Sequence, residues 1–200
     1  MQQRSSQSLV QYWDQIRAGR VAPQRCDIEP ARIAGLLPVT FILDCTAHAG
    51  FSFRLAGTRI CEQLGRELRG VDMRDMFDAK DRKNLENLLQ AIVAEGGVGI
   101  IEFEATCAEG REVQFEVVVM PVIHASSSVN RLLGCLTAID PPYWLGSTAT
   151  VRHSVTSLRK VPVETVSRLA KVLALDEHGP VIMASDGARR FRVIEGGRSQ

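Results

Sequence analysis

Apolar and polar positions recur along the chain in patterns that predict its elements. Leu9, Val10, Trp13 and Ile16 fall at i, i+1, i+4 and i+7, one face of a short amphipathic helix that Gly19 ends. Pro30 suits the first turn of a second short helix carrying Ile33, Leu36 and Leu37 and stopped by Pro38. Residues 39–44 and 51–55 read as a hairpin. Phe51, Phe53 and Leu55 alternate there with Ser52 and Arg54, so one face is expected to be buried. A short helix is expected over 57–64, with Ile60 and Leu64 on one side, and 71–77 is short and irregular. Asp78 then suits an N-cap, and Asp81 the positive end of the helix dipole. Leu85, Leu88, Leu89, Ile92 and Val93 give i, i+3, i+4, i+7 and i+8 before Gly96-Gly97 ends the helix. Three longer strands follow. Ile101, Phe103, Ala105 and Cys107 alternate with Glu102, Glu104 and Thr106. Val113, Phe115, Val117 and Val119 alternate with Gln114 and Glu116, and residues 131–140 supply the last strand. The pattern predicts an α+β fold: one five-stranded antiparallel sheet, helices on one face and water on the other.

Composition narrows the class. At 200 residues, with 45% apolar and 24% charged residues, the chain can bury its own core without a staple. A net charge of +1 provides no global field toward nucleic acid or anionic lipid. No apolar run is longer than Val117–Met120, far short of the roughly 20 residues that span a bilayer, and the start MQQRSSQSLVQYWDQ holds no signal core. A cytoplasmic location is therefore expected. Five cysteines without a CxxC clip read as reduced thiols, and the four histidines show no ligand spacing, so no metal is expected.

Charge divides the chain. Residues 1–145 hold 15 Lys/Arg against 18 Asp/Glu, and residues 146–200 hold 9 against 5. Asp140-Pro141-Pro142 marks the join, since two prolines interrupt a ladder or helix. The expected organisation is a domain over 8–145, a linker over 146–162 and a weakly structured basic tail over 163–200. In that tail Val166, Leu169, Ala170 and Leu173 have helical spacing, and Asp186-Gly187 suggests a hairpin turn. Arg189, Arg190 and Arg192 read as a solvated face, so nucleic acid is not an expected partner.

The order of elements, with the run Gly57-Thr58-Arg59-Ile60-Cys61-Glu62-Gln63-Leu64-Gly65-Arg66-Glu67-Leu68-Arg69-Gly70, resembles the PAS fold and its core signature. The Trp13 helix, Pro23-x-Arg25-x-Asp27, Leu37-Pro38, Phe53-Arg54-Leu55-Ala56-Gly57-Thr58 and the Gly65/Gly70 pair together resemble a short PAS family common in alphaproteobacteria. The resemblance covers roughly residues 9–142 and implies a sensory or protein-interaction module. It also implies an apolar core that can hold flavin, haem or a metabolite. Candidate pocket liners are Phe41, Leu43, Phe53, Leu55, Ile60, Leu64, Leu88, Ile92, Phe103, Phe115 and Val117; the alternative is that they fill a dry core.

Each cofactor would leave a mark in the sequence. The light-sensing PAS branch carries a cysteine where this chain has Met73 in Gly70-Val71-Asp72-Met73-Arg74-Asp75-Met76-Phe77, and a thioether cannot form the flavin adduct. Cys61 lies earlier and reads as a small core residue. The 78–95 helix offers haem no histidine; His48 and His124 lie at a turn and a strand end, and Met73 or Cys61 stays open as an axial ligand. No Gly-x-Ser-x-Gly, Walker or kinase pattern is present. Gly96-Gly97-Val98-Gly99 follows a helix instead of opening one, so no enzyme activity is expected.

Two further groups stand out. Arg25 or Arg54 paired with Asp27 or Asp44 would clamp the N-terminal segment to the sheet; the alternative is solvated strand-face charge. Leu9, Trp13 and Ile16 suit either packing on the sheet or a homodimer seam. The expected function is a stand-alone sensory or regulatory module without an output domain, acting through a protein partner, with a small-molecule ligand in its core or none. A haem- or flavin-bearing sensor is the alternative.

Overall fold

A computed structural model describes residues 1–46, 50–125 and 127–168. The expected tail helix beyond residue 168, the hairpin around Asp186-Gly187 and His48 lie outside the described residues. Helix α1 spans Arg4–Arg17 and is followed by a kinked 3-10 segment, Pro30–Val39. The hairpin β1 (Thr40–Thr46) and β2 (Gly50–Ala56) precedes α2 (Thr58–Leu64), a 3-10 turn (Met73–Met76) and α3 (Ala79–Glu95). Strands β3 (Val98–Cys107), β4 (Glu112–Ile123), β5 (Val129–Ile139) and β6 (Thr150–Val161) complete a six-stranded sheet, ordered β2-β1-β5-β4-β3-β6, with every pairing antiparallel.

The sixth strand lies in the stretch expected to be a linker. It spans 150–161 and pairs with β3 along its length, except at Val151 and Thr156. Two irregularities hid it: Ser157 faces Glu102 while Val155 faces Phe103, and Arg152 faces Thr106 while Thr150 faces Cys107. Thr156 and Val151 are therefore extra residues, and the period-2 signal is cut twice. Three cations assigned to the basic C-terminal region sit on this strand in ion pairs: Arg152 with Asp78, Arg159 with Glu102 and Lys160 with Glu95.

Helices lie on both faces of the sheet, where the sequence suggested one. Phe41, Phe53, Ile101, Phe103, Phe115, Val117 and Val119 face α2 and α3 in an inner core with Ile60, Leu64, Leu85, Leu89 and Ile92. Val98, Ile100, Val118, Met120, Val122, Leu133 and Cys135 face α1 and the Pro30–Val39 segment in an outer core. Successive strand residues point to opposite faces, so the run 117–122 is buried from both sides. Glu116, expected on a wet face, is 0% exposed. The start of the chain covers it: the backbone N–H groups of Gln2 and Gln3 donate to its carboxylate at 2.6 and 3.1 Å.

Leu9 and Trp13 are fully buried against their own sheet, and Ile16 packs beside them partly buried. Of the two roles open to that face, Leu9 and Trp13 take intramolecular packing. The Trp13 indole N–H donates to the Pro121 carbonyl at 2.9 Å, holding α1 to the central strand β4.

The edge of β6 is also covered. Asp78 N–H donates to the His153 carbonyl at 3.1 Å, and the Asp81 carboxylate accepts from Val155 N–H at 3.0 Å. The first turn of α3 thus occupies backbone groups that would otherwise pair with another strand. Asp78 holds the expected N-cap position, but its side chain makes no capping bond within the helix.

Trp13→Ala should cost about 3–5 kcal/mol, since it empties the centre of the outer core and frees the Pro121 carbonyl. Urea unfolding followed by circular dichroism would measure it; a loss below about 1 kcal/mol would mean that α1 is not anchored as described.

Candidate functional site

The predicted pocket residues converge, with one exception. Phe41, Leu43, Phe53, Ile60, Leu64, Ile92, Phe103, Phe115 and Val117 are fully buried in the inner core, and Leu88 packs against it half-buried. Leu55 does not belong there; it is 50% exposed. Phe53 faces Leu43 and Leu55 faces Ile42, so Arg54 is an extra residue in β2, and the bulge turns Leu55 to the opposite face.

The converging side chains fill their own space. The Phe103 and Phe115 rings stack at 5.0 Å, and Phe77 meets Phe103 edge-on at 5.2 Å. Phe41 meets Phe53 edge-on at 5.4 Å and sets the tip of its ring against Gly134, where a Cβ would come within 2.1 Å of it. Ile92 fills the corresponding slot over Gly99. Such interdigitation is ordinary core packing.

Open space lies at the rim of this core. A cleft of about 300 Å³ is lined by Cys45, Gly50, Phe51, Arg74, Glu86, Gln90 and Val93, none of which is among the eleven predicted liners. Its floor is a polar network. Asp72 begins the Met73–Met76 turn by accepting from Arg74 N–H at 2.9 Å. The Arg74 guanidinium returns to Asp72 through Nε at 3.0 Å and Nη2 at 2.7 Å, and reaches Glu86 at 3.1 Å. Gln90 also donates to Glu86 at 3.1 Å. Burial raises the Asp72 carboxyl, but hydrogen bonds from the Arg74 side chain and from the Arg74 and Phe51 amides outweigh it, leaving its pKa below the ordinary value. The bond to Asp72 in turn raises that of Arg74. Gly50, at φ 58°, is required here: a Cβ would lie 2.5 Å from Asp72 Oδ2. Sequence reading missed this network because its members come from β2, the turn and α3.

Cys45, Cys61 and Cys135 are poorly suited to thiolate chemistry. Burial, reinforced by Asp44, pushes Cys45 up to about 12, and burial pushes Cys135 up to about 11. Cys61 on α2 is also raised, chiefly by burial, so these thiols stay protonated near neutral pH. Met73, at the position that the light-sensing branch fills with cysteine, is buried in the inner core. Among the described residues, no group of three or more His, Cys, Asp or Glu could hold a metal ion.

One buried polar pair escaped the sequence reading. His153 on β6 lies edge-on to Phe103 and Phe77, at 5.6 and 6.3 Å. Its Nδ1 is 2.8 Å from the Met76 carbonyl and its Nε2 2.9 Å from the Thr150 hydroxyl. A carbonyl only accepts, so this arrangement assigns the proton to Nδ1 and lets Nε2 accept from Thr150. Burial lowers the His153 pKa; the Met76 bond opposes that and the Arg66 charge adds to it.

The predicted clamp is redistributed. Asp27 pairs with Arg20 at 2.6 Å, not with Arg25, and its pKa is lowered first by the Gln24 amide and then by Arg20. Arg25 reaches the Ile28 carbonyl, at 3.5 Å. Arg54 does meet Asp44, at 3.4 Å, and Arg131 meets it at 3.3 Å. Those contacts join β2, β1 and β5 and do not tie the N-terminal segment to the sheet. Trp13 and the Glu116 carboxylate hold that segment instead.

A family model described as "PAS domain" matches residues 1–137. The chain belongs to the PAS domain family. The match ends within β5, so the loop after it and β6 lie beyond the matched span. No curated protein matches the chain. Among solved structures, the PAS domain of an HTR-like protein from Haloarcula marismortui is 20% identical, covering 55% of this chain and 90% of that one at a TM-score of 0.38. A LOV protein from Rhodobacter sphaeroides is 9% identical, covering 76% of this chain and 100% of that one at a TM-score of 0.44. No helix among the described residues of this PAS protein is long and apolar enough to cross a membrane.

Two outcomes follow. His153 has a folded pKa below its unfolded value of about 6.5, so the stability it contributes is complete above that pH and is lost as pH falls below it. Urea midpoints between pH 7 and 5 should therefore drop more in the native protein than in His153→Gln. Parallel pH profiles would contradict the bonding described. Arg54→Ala should change stability by less than about 1 kcal/mol in the same measurement, because its ion pair is exposed.

Proposed function

We propose that this PAS domain is a non-catalytic regulatory module that acts through protein contact, with an inner core that holds no cofactor. The observation that carries this reading is the filling of that core: Phe41, Phe53, Phe103 and Phe115 occupy the space between sheet and helices, with Phe41 set against Gly134. Flavin photochemistry of the adduct-forming kind fits poorly, since Met73 offers a thioether where a thiol is needed. Haem fits no better. α3 carries no histidine, and His153, the buried imidazole beside this core, has both nitrogens engaged. Catalysis would need a nucleophile or a paired acid and base, and the Cys45 and Cys135 thiols stay protonated.

Without bond-making, a regulatory state leaves the domain as a change in the surface shown to a protein partner. Any ligand would have to favour one packing of the helices over another, and the rim cleft at Cys45 and Arg74 offers such a ligand more room than the filled core.

The test has two arms. Purified protein incubated with haem and with flavin mononucleotide should give a native mass equal to that of the chain alone and no absorbance beyond its aromatic residues; a retained cofactor would overturn the filled-core reading. Cross-linking in extracts of the source cell, followed by binary reconstitution, should yield one recurrent protein partner. Failure of every candidate to bind in purified form would overturn the contact reading.

A further inference from the structure

The residues after the matched PAS span do more than extend the sheet. β6 grips α3 at both ends. At the start, Asp78 N–H bonds the His153 carbonyl and Asp81 accepts from Val155 N–H; at the end, Lys160 donates to the Ala91 carbonyl at 3.3 Å and pairs with Glu95. The His153 ring meanwhile holds the Met76 carbonyl just before α3. All of these contacts lie on the inner side of the sheet.

The chain then crosses to the outer side. A Cβ on Gly97 would meet the Val161 carbonyl at 2.5 Å, and one on Gly96 would meet Val21 at 2.6 Å and Val163 at 3.2 Å. The end of α3, the turn after α1 and the residues following β6 therefore meet at one point. Residues 163–168 are helical, and Val166 is fully buried in the outer core with Leu9 and Trp13. The Ser167 hydroxyl accepts from Arg17 Nη2 at 2.7 Å and donates to Asp14 at 3.2 Å. Arg17 is itself buried, bonded to Asp14 at 2.6 Å and to the Arg20 carbonyl at 2.6 Å, with its guanidinium over the Trp13 ring at 5.2 Å.

We infer that residues 150–168 form a strap around the sheet edge that transmits displacement of α3, on the inner face, to α1 and the helical residues 163–168 on the outer face. Apart from the exposed Lys160–Glu95 pair, the grips are hydrogen bonds among buried or partly buried groups, so a shift at one end strains the other instead of dissipating into solvent. The inference deepens the contact-signalling reading and rests on it for purpose only. The coupling itself is a property of the chain alone.

Hydrogen–deuterium exchange on the full-length protein tests it. Asp81→Ala removes one grip on α3 without touching α1. Amides of residues 163–168 and 14–17 should then exchange at least about threefold faster, while β1 and β2 keep their native rates. Native rates at 163–168 and 14–17 beside a loosened β6 would overturn the inference. So would uniform acceleration throughout, which reports global opening. Should Asp81→Ala fail to fold, Ser167→Ala probes the same link from the other side, because coupling is reciprocal. It should speed exchange at residues 91–95, and native rates there would refute the strap. No partner takes part in this measurement, so its failure would leave the contact-signalling reading standing, and the reverse.

Discussion

Burial of the two central strands from both sides is the constraint on which the rest of this molecule depends. An antiparallel sheet usually keeps one face in water. Here Val117 and Val119 point into one core while Val118, Met120 and Val122 point into another. Leaving either set exposed would forfeit about 1.5–3 kcal/mol for each large side chain. The outer face therefore needs a cover, and α1 supplies it with Leu9, Val10 and Trp13. Its polar consequences follow from the same demand. The buried Glu116 carboxylate needs donors, and the Gln2 and Gln3 amides provide them; the Pro121 carbonyl receives the Trp13 indole.

The inner face meets that demand with aromatic rings, and this shapes the functional reading. PAS domains are a sensory family by fold, but a core closed by its own phenylalanines leaves the accessible space at the rim, where Arg74, Asp72 and Glu86 form a network with every member engaged. Chemistry at such a rim is limited, because its thiol, Cys45, is held protonated by burial and by the neighbouring Asp44. On the function proposed above, a domain so arranged changes state by repacking, and repacking is read by whatever touches its helices.

β6 gives that repacking a path. An edge strand of twelve residues would ordinarily invite another chain, yet the first turn of α3 occupies its backbone groups at His153 and Val155. The same contacts that protect the edge tie α3 to β6, and the residues after β6 pack against α1. In the coupling inferred above, protection and transmission share these bonds.

Several features were legible in the residues alone because they depend on local periodicity. The Leu9/Trp13 face, the Leu85–Ile92 stripe of α3 and the alternation in β3 and β4 each announce an element, and the run 57–70 announces the PAS family. What periodicity cannot carry is which face a chain segment meets. Leu55 obeyed the alternation and still turned outward, because one bulged residue reverses every position after it. Glu116 looked solvated until a segment more than a hundred residues away covered it. Asp27 had Arg25 two residues away in sequence, and the fold brought it Arg20 instead. β6 stayed hidden because its two bulges erase the period while its partners, β3 and α3, lie some fifty to seventy residues earlier. Local sequence determined where elements form, since that depends on neighbours along the chain. Tertiary structure alone decided what each side chain touches, since desolvation and hydrogen bonding depend on neighbours in space.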